Sequence, residues 1–117
     1  MQYLLLIYDD EKARWGVPAD ARDALTAEYK QLVGELVRDK IYVGGNPLEQ
    51  TQSASSVRVR EGKTHVTDGP FAETREQLGG YFLIEAPDMA AARAIASRLP
   101  GARNSTVEVR PIVPHSM

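Results

Sequence analysis

Two short segments that are apolar on both alternating faces place the strongest constraint on the fold. They are residues 2–8 (Gln-Tyr-Leu-Leu-Leu-Ile-Tyr) and 81–84 (Tyr-Phe-Leu-Ile), and their pattern is typical of strands covered on both sides. Only two long apolar stripes at helical spacing occur elsewhere, and two helices can cover one face of a sheet. Since monomers rarely expose large apolar patches, we expect a homodimer in which the other face packs against a second sheet or against the inserted hairpin.

The other predicted elements follow in a simple order. Apolar residues at three- and four-residue steps predict one helix after Asp20 and another after Asp88, each aspartate serving as the N-cap. The charged segment that follows residue 8 and carries Trp15 is expected to be a loop. Alternation and turn residues predict strands at 41–43, 56–60, 63–67 and 106–112, with Glu61-Gly62 as the turn of a hairpin.

This order predicts an α+β fold, a ferredoxin-like βαββαβ sandwich with an inserted β-hairpin. The 117 residues fit one domain, 1–117. In the predicted homodimer, a cleft on the uncovered face would be lined partly by Glu108 and Arg110, which alternate away from the helices.

Composition excludes several function classes. The net charge is −2, so no basic excess favours nucleic acid or an anionic membrane. The absence of cysteine excludes disulfides, thiolate metal sites and a cysteine nucleophile. The two histidines, His65 and His115, lie in different segments, so no metal site is predicted, and without a glycine-rich phosphate loop no cofactor is predicted. No run reaches the roughly 18 apolar residues of a membrane span, so we expect a cytoplasmic protein.

The segment 67–80 (Thr-Asp-Gly-Pro-Phe-Ala-Glu-Thr-Arg-Glu-Gln-Leu-Gly-Gly) is the candidate site. Because Pro70 has no N–H, the Asp68 carboxylate must reach the N–H of Phe71 or Ala72, or remain unbonded. Two interpretations stay open. Asp68 either caps a short helical turn, or it is a catalytic acid, base or ligand contact in a pocket.

Other side chains of this region are candidate ligand contacts. An arginine would pair with a carboxylate ligand, because guanidinium groups match carboxylate geometry, while aromatic side chains would form an apolar wall. The alternative is that the charged positions are only a solvated loop. The predicted ligand-binding residues are Phe71, Glu73, Arg75, Tyr81 and Arg110.

The segment 68–80 resembles the signature of the YCII-related superfamily, specifically its DGPF-domain branch. Residues 54–58 (Ala-Ser-Ser-Val-Arg) are similar to the family's Ala-Thr-Thr-Val-Arg block, and residues 108–111 (Glu-Val-Arg-Pro) match its closing segment. Together with the N-terminal strand these matches span nearly the whole chain. The resemblance implies a dimeric α+β barrel built on the ferredoxin-like fold.

The resemblance implies little about activity. Some members are encoded beside extracytoplasmic-function sigma factors, and some YCII relatives are small enzymes that act on lactone or chlorinated aromatic intermediates through a proposed His–Asp pair. Asp68 corresponds to the acidic member, but neither His65 nor His115 occupies an evident motif position.

Three functional hypotheses follow from these observations. The first is a small-molecule enzyme or binding protein with its pocket at Asp68 in the dimer cleft. The second is a non-catalytic regulatory or interaction module that acts with a sigma factor. In the third, the motif mainly holds the fold together.

Overall fold

The computed structural model describes residues 1–114, so the prediction for His115 lies outside the described residues. The elements along the chain are β1 (Gln2–Asp9), α1 (Glu11–Trp15), α2 (Ala19–Arg38), β2 (Tyr42–Pro47), a 3₁₀ helix (Thr51–Ser53), β3 (Ser55–Arg60), β4 (Lys63–Asp68), β5 (Gln77–Glu85), α3 (Met89–Ala96), α4 (Gly101–Asn104) and β6 (Thr106–Pro111).

The strands form two separate antiparallel sheets. The larger has four strands in the order β2-β5-β1-β6, and β3 pairs only with β4 in a hairpin. The predicted mixed α+β class is therefore confirmed. Within residues 1–114 the larger sheet stays open and does not close into a barrel.

The core lies between one face of the larger sheet and the helices. Tyr3, Leu5 and Ile7 alternate along β1 onto this face and are buried. Leu36 of α2 and Leu99, which follows α3, are fully buried against them. The apolar stripes of the two long helices therefore cover one face of the sheet, as their periodicity predicted.

The opposite face of this sheet carries a second set of apolar side chains. Leu4 and Leu6 of β1 lie directly opposite Leu83 and Tyr81 of β5. All four are partly exposed and lie outside the helix-covered core. We call this surface the open face, defined by Leu4, Leu6, Tyr81 and Leu83 together with Glu108 and Arg110 of β6, which pair with β1 on the same side.

Two expectations near the start of the chain were wrong. The segment expected to be a loop contains helix α1, because the Asp10 carboxylate accepts hydrogen bonds from the N–H groups of Lys12 and Ala13 and so caps a single turn. Asp20 does not cap α2, which begins at Ala19 after Pro18.

Strand β2 is longer than expected. Its glycines were predicted to end it at Val43, yet it continues through Gly44 and Gly45 to Pro47. A Cβ atom on Gly45 would lie 2.6 Å from the carbonyl oxygen of Tyr81. Glycine therefore lets this edge strand approach β5 closely and does not break it.

Candidate functional site

The segment between β4 and β5 has no regular secondary structure and is anchored at its start. Gly69 has a φ angle of 95°, in the left-handed region that favours glycine. Its N–H donates to the Ala54 carbonyl at 2.7 Å, and its own carbonyl accepts from the Ser56 hydroxyl at 2.8 Å. The Asp-Gly-Pro turn therefore closes the base of the β3–β4 hairpin and directs the following residues toward the end of the larger sheet.

A cleft of about 500 Å³ lies between this segment, the 3₁₀ helix and the end of β1. We call it the motif cleft. Its walls are largely apolar, and its rim carries hydroxyl, amide and carboxylate groups. The apolar lining comes from Tyr8, Leu48, Ala54, Pro70, Phe71 and Leu78, and the polar lining includes Glu49, Thr51, Glu76 and Gln77.

The charged groups that line the motif cleft are carboxylates. Glu49 and Glu76 contribute them, and no lysine or arginine of residues 1–114 is among the lining side chains. The Glu76 carboxylate accepts a hydrogen bond from the Thr106 hydroxyl at 2.9 Å, which ties it to the start of β6. The cleft therefore presents hydrogen-bond acceptors and negative charge to an occupant.

A row of polar side chains joins the motif cleft to the open face. The Tyr8 hydroxyl donates to the Glu108 carboxylate at 3.2 Å, and the Arg110 guanidinium lies 3.0 Å from the other oxygen of Glu108. Burial raises the pKa of Tyr8, and the hydrogen bond to Glu108 raises it further. Tyr8 therefore stays protonated at neutral pH, and its hydroxyl keeps its hydrogen bond to Glu108 at the border of the cleft.

One wall of the cleft is fixed by helix α1. The Glu11 carboxylate accepts hydrogen bonds from both the backbone N–H and the hydroxyl of Thr51, at 2.7 and 2.9 Å. Such charge-assisted bonds are among the stronger protein hydrogen bonds. The short helix that the sequence did not reveal therefore positions the 3₁₀ helix that lines the cleft.

An ion pair lies behind this wall, on the helix side of the sheet. Arg14 is 3.1 Å from the Asp9 carboxylate and also donates to the Gly79 carbonyl at 3.3 Å. Burial raises the pKa of Asp9, and the positive charge of Arg14 partly offsets that rise. The pair packs against Gly79, where a Cβ atom would lie 2.7 Å from an Arg14 nitrogen.

Comparison with known proteins now identifies the family. The family model described as the YCII-related domain matches residues 1–116. The chain belongs to the YCII-related family. It is also similar to an uncharacterized protein of Rhizobium meliloti (strain 1021), with 35% identity over 123 residues that cover 96% of this chain and 92% of that protein.

The structure of this YCII-related chain separates the predicted site residues. Phe71 lines the motif cleft, although 80% of it is exposed. Asp68, Glu73 and Arg75 are exposed and lie outside the lining. Tyr81 lies on the open face, where its hydroxyl accepts a hydrogen bond from the Asn46 amide at 3.1 Å.

Within residues 1–114, Asp68 lacks the hydrogen bonds that the cap interpretation requires, whereas Arg110 lies on the face away from the helices, as its alternation predicted. Segment 69–76 contains no helical turn, and among the described residues no N–H of Phe71 or Ala72 bonds the Asp68 carboxylate. The cap interpretation therefore lacks its hydrogen bond. Arg110 is paired with Glu108 on the open face, and His65 is on the hairpin opposite Arg58, away from the cleft.

The YCII-related cleft also contains residues that sequence reasoning missed. Tyr8 was predicted only as the end of an apolar strand, and Thr51 was not singled out from the sequence. Glu76 and Leu78 belong to the motif, but their spacing alone did not show that they would line a cleft. Alternation along β1 places Tyr8 on the face opposite the core, and this is the one sequence signal that could have found it.

Among residues 1–114 there is no cluster of three or more His, Asp or Glu side chains that could hold a metal ion. Of the helices up to residue 114, none has the length and apolar character needed to cross a membrane.

Proposed function

We propose that this YCII-related protein is a homodimer that binds a small molecule in the motif cleft. One observation carries the proposal: the family-signature residues Pro70, Phe71 and Leu78 form apolar walls of a cleft whose charged lining groups are both glutamates. A concave, mostly apolar cleft with a few polar groups is the usual form of a small-molecule site.

The lining favours a ligand with an apolar body and a neutral or cationic polar group. A carboxylate ligand would meet the like charges of Glu49 and Glu76, and like charges repel. Arg75 lies outside the lining and Arg110 is already paired with Glu108. The geometry therefore argues against the carboxylate ligand that the arginines of the motif suggested.

The same proposal includes a ferredoxin-like fold and a dimer. The antiparallel order β2-β5-β1-β6 and the helices on one face support this fold. If the open faces of two copies pack together, they form a dimeric α+β barrel. The hydrogen bond between Tyr8 of the motif cleft and Glu108 of the open face supports a cleft beside that interface. The sequence 68–71 supports membership of the DGPF branch.

Asp68 is the residue we propose for any proton transfer. Its side chain is exposed at the base of the hairpin and accepts no hydrogen bond from another side chain or N–H of residues 1–114. Both oxygens are therefore accessible to a ligand that extends out of the cleft past Pro70. Binding through the apolar walls does not require Asp68, so Asp68→Asn is expected to impair turnover more than binding.

Two probes of opposite charge test the proposed ligand class. We would titrate isotope-labelled protein with 2-phenylethylamine and with 3-phenylpropionate, and follow the amide resonances of Thr51 and Leu78 by NMR. The amine is expected to bind about fivefold more tightly or better, because one charge pair 4 Å apart in water is worth about 1 kcal/mol. Equal affinities, or a preference for the carboxylate, would contradict the proposed class.

A variant that fills the motif cleft tests whether the amine binds there. Ala72 lines the cleft and is exposed, so Ala72→Trp is expected to fill the cleft and abolish the shifts caused by the amine. Ala24→Trp is the matched control, because Ala24 is exposed on α2 outside the cleft. Undiminished binding to Ala72→Trp would place the site elsewhere.

A further inference from the structure

The β3–β4 hairpin projects from the body of the protein with its valines exposed. It forms its own two-stranded sheet and shares no strand pairing with the larger one. Val57 and Val66 lie directly opposite each other, and Val59 follows on the same face. These three side chains are 58–62% exposed. Residues of this type normally pack against a second surface.

The two faces of the hairpin differ in chemistry. Alternation places the valines on one face, while the other carries three cationic side chains and a histidine, namely Arg58, Arg60, Lys63 and His65. Antiparallel strands with one apolar face and one polar face usually pack on the apolar side and face solvent on the other. The valine face is therefore the side expected to pack against another protein surface.

The connection of the hairpin to the body does not supply that cover. Among the described residues, its base is closed only by bonds between its own two strand ends, where the Gly69 N–H donates to the Ala54 carbonyl and the Ser56 hydroxyl donates to the Gly69 carbonyl. The tip is a tight turn in which Glu61 and Gly62 have φ angles of 52° and 76°, as expected for a two-residue hairpin turn. An isolated two-stranded ribbon is at best marginally stable in water, so packing beyond its base would stabilise it.

We infer that the hairpin is an arm whose valine face packs on a second copy of this chain. This inference rests on the proposed homodimer and extends it. In such a dimer the arms are exchanged in pairs, because a two-fold interface uses the same surfaces on both copies. The cationic face of each arm then remains on the solvated side.

The area that a stable dimer needs supports this role. A face of four strands about 4.8 Å apart, with six to nine residues of about 3.3 Å each, covers roughly 450 Å² in projection. A stable interface buries about 800 Å² on each copy. By the same spacing the valine face of the arm adds about 200 Å². Because each arm also covers a similar area on the other copy, exchanged arms bring the interface closer to that size.

Hydrogen exchange of the unmodified protein tests the arm directly. Amides of residues 55–68 are expected to exchange about tenfold more slowly at concentrations where the dimer forms than at concentrations where it dissociates, since covered and stabilised strands open less often. Exchange in this segment that is fast and independent of concentration, while amides of β1 become protected in the dimer, would overturn the arm and leave the dimer standing.

Two matched variants test which face of the arm makes the contact. Val66→Lys and Thr67→Lys place the same side chain at neighbouring exposed positions on opposite faces of β4. In sedimentation velocity, Val66→Lys is expected to raise the dimer Kd about tenfold or more, as loss of an interface anchor does, while Thr67→Lys stays near the wild-type value. Equal effects would overturn the arm. A wild-type monomer at all concentrations would overturn both the arm and the dimer.

Discussion

Asp9 and Arg14 show at the residue scale how the fold accommodates charge near its core. Asp9 alternates onto the core side of β1, and an oxygen of its carboxylate has no hydrogen-bond partner among the described residues. Arg14 lies within ion-pair distance and reaches the backbone of β5 as well. Since burial raises the pKa of Asp9 despite this cation, ionised Asp9 opposes folding on balance.

The sign of the resulting pH dependence follows from this raised pKa. The folded state binds the Asp9 proton more tightly than the unfolded chain, whose carboxyl has the ordinary value of 3.8. Stability from this group therefore increases as the pH falls through the folded-state pKa, and the gain is complete below about 3.8. The free energy of unfolding of the wild type, relative to that of Asp9→Asn, is expected to rise from neutral pH toward pH 4.

Urea unfolding of both proteins over this pH range measures that difference. Asp39→Asn is the control with the opposite sign, because the hydrogen bond from Arg38 lowers the pKa of Asp39. The wild type should lose stability relative to Asp39→Asn as the pH falls through the values near 3.8 and below. A wild type that also loses stability relative to Asp9→Asn on acidification would contradict the environment we describe for Asp9.

The two predicted N-cap residues show how far a helix start can be predicted from the sequence. Asp88 was predicted to cap the second helix, and its carboxylate accepts from the Ala91 N–H at 2.8 Å. Asp20 has the same residue type in a similar position, yet α2 starts earlier, after Pro18. Pro18 is itself the N-cap residue, so Asp20 lies inside the first turn, near the positive end of the helix.

At the scale of elements, periodicity was informative where elements are long. The two apolar helix stripes and the Glu61-Gly62 hairpin were correctly predicted, because each depends on neighbours in sequence. Helix α1 was missed since a five-residue helix is too short to show a period. The motif cleft was equally hidden, because Tyr8, Thr51 and Leu78 are brought together by tertiary packing of distant segments.

Replacement of glycine by alanine is expected to change the free energy of unfolding in opposite directions in β5 and in α2. Gly79→Ala would place a Cβ atom 2.7–3.1 Å from Arg14 and Asp9, whereas a Cβ atom on Gly34 meets nothing within 4 Å. We expect Gly79→Ala to lower the free energy of unfolding by about 1 kcal/mol, because the side-chain ends of Arg14 and Asp9 can move aside only by loosening their half-buried ion pair. Gly34→Ala should raise it by about 0.5–1 kcal/mol, because alanine is the better helix former.

Denaturant unfolding of the two variants beside the wild type checks this contrast. Both variants add the same methyl group, so the effect of replacing glycine on the unfolded chain is the same at the two positions. If Gly79→Ala is as stable as Gly34→Ala, the ion pair does not pack against β5 as described.

At the scale of the whole molecule, a single copy is flat and extended. Its principal extents are 47 × 43 × 19 Å and its radius of gyration is 16.1 Å, while a compact chain of this length has about 13 Å. The thin dimension reflects one sheet with helices on one side, and the projecting hairpin adds length. This flat shape and the apolar open face support the proposed homodimer.

Sedimentation equilibrium of three proteins tests the central claim that the open face is a homodimer interface. Leu4→Lys introduces a charge on the open face, and Val37→Lys introduces the same charge on the outside of α2, where Val37 is 56% exposed. We predict that the wild type and Val37→Lys sediment as dimers and that Leu4→Lys sediments as a folded monomer, because an unpaired charge is costly to bury at an interface. A monomeric wild type, or a Leu4→Lys variant that remains dimeric, would contradict the claim.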